Sequence, residues 1–232
     1  MTNNIALCTK PKIYKVVRQL ISNNDKTILK ILDAPAGHGF MSHLLKQSGF
    51  DVYACDINEF GFIKFDIPFI KTDLNKRLPY PDSYFDYVIC IEGIEHLENT
   101  KFTLSEFNRV LKNSGKLIIT TPNIHNFISR IKFLFFGSYR YFNSKIEPRD
   151  NSFIGQHINP IWFPAFEVHI RNTGFKINKI LTDKKMYFYR FIRPVITAIN
   201  LFNKARNEKL QSLELFCGDI LIMELSKVKE IT

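Results

Sequence analysis

Residues Ile31 to Phe40 read ILDAPAGHGF, and the fold turns on how this stretch is read. An apolar run reaches Asp33 and then breaks into a loop carrying Gly37 and Gly39, with Pro35 where a third glycine would complete the pattern. "KILDA" has the composition of a short buried strand, and "GFMSHLLKQSG" that of a helix stopped by Gly49. A strand that runs through a glycine loop into a helix lets a ligand approach the backbone closely. Its polar groups then meet the N–H groups at the helix start.

Working outward, the same alternation continues. "DVYACDI" predicts a second strand ending on Asp56, "IPFIKTDL" a third, and "YFDYVICIEG" a fourth with a continuous apolar run. "FTLSEFNRVLKNSG" places Phe102, Leu104, Phe107, Val110 and Leu111 on one helical face, and "KLIITTPN" follows as a fifth strand. Upstream, residues 12–24 show the i, i+3, i+4 spacing of an amphipathic helix. Downstream, the patterns predict a helix at 163–173, a strand at 175–181, an amphipathic helix at 193–209 and a last strand in "FCGDILIMELS". Near-continuous apolar strands alternating with helices indicate an α/β fold. Its sheet is mostly parallel and doubly wound, with helices on both faces. We expect a single domain over 1–232 with an insertion or lid at about 123–160.

Composition narrows the partners. The chain carries a net charge of +10, and residues 123–210 hold all of it, with 15 Lys/Arg against 5 Asp/Glu and 17 of the 32 aromatic residues. Charge and aromatics enriched together point to a phosphate-bearing or anionic membrane surface. No apolar run approaches the roughly 20 residues of a membrane span. The first residues lack the apolar core of a signal peptide. Cys8, Cys55, Cys90 and Cys217 are too scattered for a zinc site, so reduced thiols and a cytoplasmic location are expected.

Asp33, Asp56 and Asp73 all fall at strand ends, the edge where doubly wound sheets bind ligands. Asp56 comes about 20 residues after the loop, the interval at which an acidic side chain accepts bonds from ribose hydroxyls. With these residues in place, "LDAPAGHG", "CDI", "TDL", "FDYVICIEGIEHLEN" and "RVLKNSGKLIITTPN" together resemble the motifs of class I S-adenosylmethionine-dependent methyltransferases. "HINPIWFPAFEVHIRNTGF" is more loosely similar to their later segment. The resemblance implies a seven-stranded Rossmann-like sheet with an antiparallel last strand, for which "DILIMEL" is suited. It implies S-adenosylmethionine as cofactor, held by Asp33, Ala34, Pro35, Gly37, Gly39, Asp56, Ile57, Asp73, Leu74, Ile91 and Glu92. Pro35 departs from the family pattern, because its ring fixes φ near −65° and excludes a glycine-only conformation.

Methyl transfer is an in-line displacement in which positioning does most of the work. An amine acceptor needs little more, whereas an alcohol needs a base or a metal. "CIEGIEHLE" offers Glu92, Glu95 and His96; a helix starting near Glu92 sets them on one face, and His157 can approach from the later segment. Three roles stay open: closing the cofactor pocket, holding a divalent metal such as Mg²⁺, or metal-free base catalysis by His96 or His157. The metal reading comes from resemblance to ubiquinone-pathway O-methyltransferases and small-RNA 2′-O-methyltransferases, which have a similar Glu-x-x-Glu-His run. His38, His43, His125 and His169 read as local surface or loop residues. Residues 124–142, with Arg130, Lys132 and Arg140 among aromatics, read as a basic amphipathic piece that lies on a bilayer or caps the site. This piece loosely resembles the insert of bacterial methyltransferases found with surface-polysaccharide synthesis.

The leading expectation is therefore O-methylation of a glycan or lipid-linked intermediate at the inner membrane face. An RNA-modifying enzyme and a quinone-type small-molecule O-methyltransferase are the alternatives. Nucleic acid is disfavoured by the lack of a recognisable RNA-binding module. A non-catalytic protein that retains the fold is disfavoured by the intact Asp33, Gly37, Gly39, Asp56 and Asp73.

Overall fold

A computed structural model describes residues 9–21, 28–59, 61–63, 66–142, 156–183 and 213–228, with isolated positions 7, 194, 197, 198 and 201. Cys8, the centre of the expected insertion and most of the helix expected at 193–209 lie outside the described residues. In chain order the elements are α1 (Pro11–Leu20), β1 (Lys30–Asp33), α2 (Phe40–Gln47), β2 (Asp51–Asp56) and β3 (Phe69–Lys71). There follow β4 (Phe85–Ile91), a 3-10 turn (Ile94–His96), α3 (Thr100–Val110), β5 (Leu111–Pro122) and α4 (Phe127–Phe136). The chain ends with α5 (Phe163–Asn172), β6 (Phe175–Thr182), a single helical turn α6 (Leu213–Phe216) and β7 (Ile220–Lys227).

The seven strands form one sheet in the order β3-β2-β1-β4-β5-β7-β6. The pairs β1–β2, β1–β4, β2–β3 and β4–β5 are parallel, and β7 runs antiparallel to both neighbours. After Asp86, which accepts Lys30 N–H and pairs with Lys112, β4 is apolar or aromatic to its end, as suits a strand covered on both faces. Val88 and Cys90 meet the core built with Leu104 and Phe107 of α3 and Phe166 and Ile170 of α5. Tyr87, Ile89 and Ile91 meet the opposite core, with Ile13 and Val17 of α1 and Met41 and Leu45 of α2. The strand order reverses direction of growth between β1 and β4, so the crevice beyond their carboxyl ends is the switch point.

Three local expectations change. α3 stops at Val110 rather than near Gly115, because the chain turns there to bond with β4: Tyr84 N–H donates to Val110 O, and Leu111 opposes Phe85. No α-helix starts at Glu92; that residue has φ +48°, and only the 3-10 turn Ile94–His96 follows. Glu92, Glu95 and His96 therefore do not share a helical face. Gly39 takes φ +83° as the residue before α2, and a Cβ there would stand 2.8 Å from Phe62. Its lack of a side chain serves that packing and the left-handed turn.

Candidate active site

Beyond the carboxyl ends of β1, β2 and β4 lies a cavity of about 860 Å³. Of the residues expected to hold cofactor, Asp33, Pro35, Gly37, Asp56, Ile57, Asp73, Leu74, Ile91 and Glu92 line it, and so do His96 and His157. Ala34 and Gly39 do not. Ala34 is fully buried and its N–H donates to Ile89 O, holding β1 to β4, while Gly39 faces Phe62. Glu95 is also absent from the lining, because its side chain turns beneath the cavity toward Thr121.

The acidic residues divide the labour. Asp33 is buried, and its Oδ2 accepts the Ser42 hydroxyl at 2.6 Å. Burial pushes its carboxyl up to about 7, against the opposing effect of Ser42. It fastens the first turn of α2 to β1. Asp56 accepts Gly37 N–H on Oδ2 at 2.8 Å and Asn58 N–H on Oδ1 at 2.9 Å. A carboxylate offers about four lone-pair directions, so each oxygen keeps one for a ribose hydroxyl. Asp73 accepts both the N–H and the side-chain amide of Asn75 on Oδ1, at 2.9 and 3.1 Å. Asn75 in turn accepts the N–H groups of Glu98 and Asn99, which ties the β3 loop to the β4 loop.

Pro35 finds its explanation across the cavity. A Cβ on Gly93 would stand 2.3 Å from Pro35 Cδ, so the loops after β1 and β4 seat against one another through a ring and a bare backbone. Glu92 closes a small circuit beside them. Its N–H donates to Thr120 Oγ1, which donates back to Glu92 Oε1 at 2.9 Å. Burial pushes the Glu92 carboxyl up to about 7.

Glu95, His96 and His157 form the second cluster, with one potential ligand atom each, all within 4.8 Å of one another. His96 Nδ1 lies 2.7 Å from Gln156 O. A carbonyl can only accept, so Nδ1 carries the proton and Nε2 keeps a lone pair. The two imidazole rings stand edge to face with centroids 4.7 Å apart. Burial, followed by the neighbouring His96, holds His157 below its ordinary pKa. Glu95 is raised well above the carboxylate range by burial and then by Glu92. Its Oε2 accepts the Thr121 hydroxyl, whereas Glu95 Oε1 and His157 Nδ1 are buried with no hydrogen-bond partner. Unsatisfied buried polar atoms are rare, and two in one cluster leave room for a water or a ligand group to supply the partner.

Sequence reasoning missed Lys10, Tyr14, Asn58, Asn75 and Tyr141, which also line the cavity. The two asparagines had a local signal: "DIN" at 56–58 and "DLN" at 73–75 each place an acceptor two residues before the amide it holds. Lys10 bonds Asp183 and Asp219 at 2.8 Å each, contacts spanning 173 and 209 residues. Nothing near Lys10 in the sequence announces them. His125 is no surface residue. Its Nε2 accepts Phe163 N–H at the start of α5, and burial lowers its pKa to about 4.

Comparison with known proteins agrees with this arrangement. Residues 32–119 match the family model described as "Methyltransferase domain". An uncharacterized protein of Methanocaldococcus jannaschii is 30% identical over 88% of this chain and 80% of its own length. A demethylmenaquinone methyltransferase of Renibacterium salmoninarum is 35% identical, over 39% of this chain and 40% of that protein. A ubiquinone biosynthesis O-methyltransferase of Rickettsia typhi is 31% identical, over 47% of this chain and 48% of its own. The quinone-pathway matches thus span less than half of those proteins. A crystal structure of an S-adenosylmethionine-dependent methyltransferase from Archaeoglobus fulgidus superposes with a TM-score of 0.60 at 23% identity, covering 93% of each chain. The chain belongs to the class I S-adenosylmethionine-dependent methyltransferases. It is accordingly a methyl-transferring enzyme whose cofactor is S-adenosylmethionine.

Proposed function

We propose that the acceptor atom is an oxygen, and that His96 and His157, with Glu95 behind them, take up its proton. The observation that carries this reading is the pair of unpartnered buried atoms, Glu95 Oε1 and His157 Nδ1, beside two imidazoles at the cavity. An amine acceptor, once neutral, needs such a group less than an alcohol does. S-adenosylmethionine, when bound, supplies the methyl carbon on a positively charged sulfur. The chain's own residues supply the rest. Asp56 and Asp73 orient the adenosine through its ribose and adenine, and Ile57, Leu74 and Ile91 exclude water around it. His96, protonated on Nδ1 by the Gln156 contact, presents Nε2 as the proton acceptor. His157, held neutral by burial, is a second base within reach of the first.

For the acceptor, we propose a glycan or lipid-linked intermediate met near a membrane surface by a peripherally associated enzyme. The names of the matched quinone-pathway relatives favour a small quinone-type phenol as the second reading. Among the described residues, no helix is long and apolar enough to cross a membrane.

A divalent ion is the other chemistry the cluster can support. Two imidazoles and a carboxylate would fit one, and it would polarise the acceptor hydroxyl. The imidazoles suit Zn²⁺ or Fe²⁺ better than the Mg²⁺ that the sequence left open as one alternative.

The test is transfer of labelled methyl groups into small acceptors and cell extract by wild type and the His96→Gln/His157→Gln double variant. The expected rate loss is about 10²–10⁴-fold, with S-adenosylmethionine affinity retained, no effect of a chelator, and a rate that falls as pH drops through the imidazole range. A double variant that keeps its rate removes the base assignment. Loss of turnover on chelation, restored by added metal, transfers the role to an ion.

A further inference from the structure

Helix α4 departs from the behaviour of a packed helix. Of its ten residues only Ser129 is buried. Ile128, Ile131 and Phe133 are 42–48% exposed, and Leu134, Phe135 and Phe136 are 71–74% exposed. A partner groove would be matched by one apolar stripe along a helix. Here four consecutive apolar residues, 133–136, encircle a whole turn, since a turn takes about 3.6 residues. A helix apolar all round is at home in a continuous apolar phase rather than against a single face.

The basic residues point the other way. Arg130 Nε donates to His125 O at 2.7 Å, and its guanidinium lies 4.2 Å from the Phe216 ring centroid. Lys132 Nζ donates to Tyr139 O, and Arg140 pairs with Asp219. The expectation that these three charges themselves grip an anionic surface is therefore replaced. They fold back onto the protein and hold the helix up. Asn126 caps its start by accepting Ser129 N–H, and Ser129 Oγ accepts Arg140 N–H. Pro122 before the helix and Tyr141 after it both line the cavity, so the chain leaves the cavity wall to form this helix and returns to it.

We infer that α4 is a lipid-docking element: Phe133–Phe136 enter the acyl region of a membrane leaflet and hold the cavity at the headgroup level, where a lipid-linked acceptor presents its polar end. The inference deepens the proposed acceptor class and rests on it for its biological sense, but its test reads binding without turnover. Hydrocarbon burial supplies the affinity, so a neutral surface suffices.

The experiment is sedimentation of the full-length chain with pure phosphatidylcholine vesicles at low and high salt, in wild type and in Leu134→Ser/Phe135→Ser/Phe136→Ser. Wild type is expected to bind at both salt concentrations. The variant should lose at least about tenfold in bound fraction, with unchanged S-adenosylmethionine affinity, Tm and oligomeric state. Wild type that ignores neutral vesicles, or is released by salt, overturns the inference. A fall in the variant's Tm shows that the chain itself covers the helix, and a change of oligomeric state shows that a second copy does; either overturns it too. Vesicle binding without methyl transfer to any lipid-linked acceptor leaves the docking helix standing and removes the acceptor reading.

Discussion

Asp56 gives one oxygen to Gly37 N–H and the other to Asn58 N–H, whereas Glu95, in the 3-10 turn that follows β4, leaves Oε1 buried with no partner. The same contrast holds across the two halves of the cavity. On the β1–β3 side, Asp33, Asp56 and Asp73 are bonded into the loops that carry them. On the β4–α4 side, two polar atoms are unsatisfied and a helix turns its aromatic residues outward. Polar groups already held by their loops before any ligand arrives suit a preorganised cradle, which fits the cofactor side of the proposed reaction. Groups left unpaired, and apolar surface left uncovered, suit the acceptor side of that proposal.

The sharpest way to break this contrast is Asp56→Ala. On the cradle side it removes two bonds to a charged acceptor from the ribose, each worth about 1.5–3 kcal/mol. It also frees Gly37 and Asn58 from the loop they shape. S-adenosylmethionine binding should fall by two decades or more in calorimetry while circular dichroism reports a folded protein. An unchanged affinity would take Asp56 out of the site.

Next in size is Gly93→Ala. The added methyl would sit 2.3 Å from Pro35 Cδ, and both loops are part of the backbone framework, so neither can yield cheaply. A stability loss of about 3 kcal/mol is expected, at the upper end for overpacking, with weaker cofactor binding in parallel. If stability drops and affinity does not, the seam between the loops is structural only, and the cradle is smaller than drawn here.

The smallest effect tests whether the acceptor side contains fully satisfied groups of its own. His125 is depressed to about 4 in the folded protein by burial and then by Arg130. A histidine whose folded pKa lies below its unfolded value binds fewer protons when folded. Its contribution is thus present above about pH 6.5 and is lost as pH falls toward 4. Wild type should lose roughly 2 kcal/mol more than His125→Gln between pH 6.5 and 4.5. The glutamine keeps an acceptor for Phe163 N–H but does not titrate. Chemical denaturation at the two pH values reads the difference, and parallel losses would assign acid sensitivity elsewhere.

These outcomes depend unequally on what can be read from the chain. The strand ends at Asp33 and Asp56 were legible, because an apolar run closing on an acidic residue is a local pattern of period and burial. So was the antiparallel β7 once the family motifs were in place. The extent of α3 and the conformation after Glu92 were not, because pairing with β4 and the Thr120 circuit override local helical preference there. His125 is the loop residue it looked like, but its bond to Phe163, 38 positions away, was not legible.

Taken alone, the sequence determined the α/β alternation, the glycine loop between β1 and α2, the acidic residues at the switch point and the identity of the cofactor. Each of these is written in neighbouring residues, within a turn of helix or the length of a strand. Tertiary structure decided that Gly37 lines the cavity while Gly39 packs on Phe62, why Pro35 stands opposite Gly93, and that His96 and His157 gather with Glu95, whose Oε1 has no partner. It alone showed that the basic residues of α4 turn inward while its phenylalanines turn out. Apart from the contacts of Arg130 and Lys132, which reach only 5 and 7 positions along the chain, those features join residues distant in sequence, and a side chain's partner at such a distance is chosen by packing and desolvation, which no local pattern encodes.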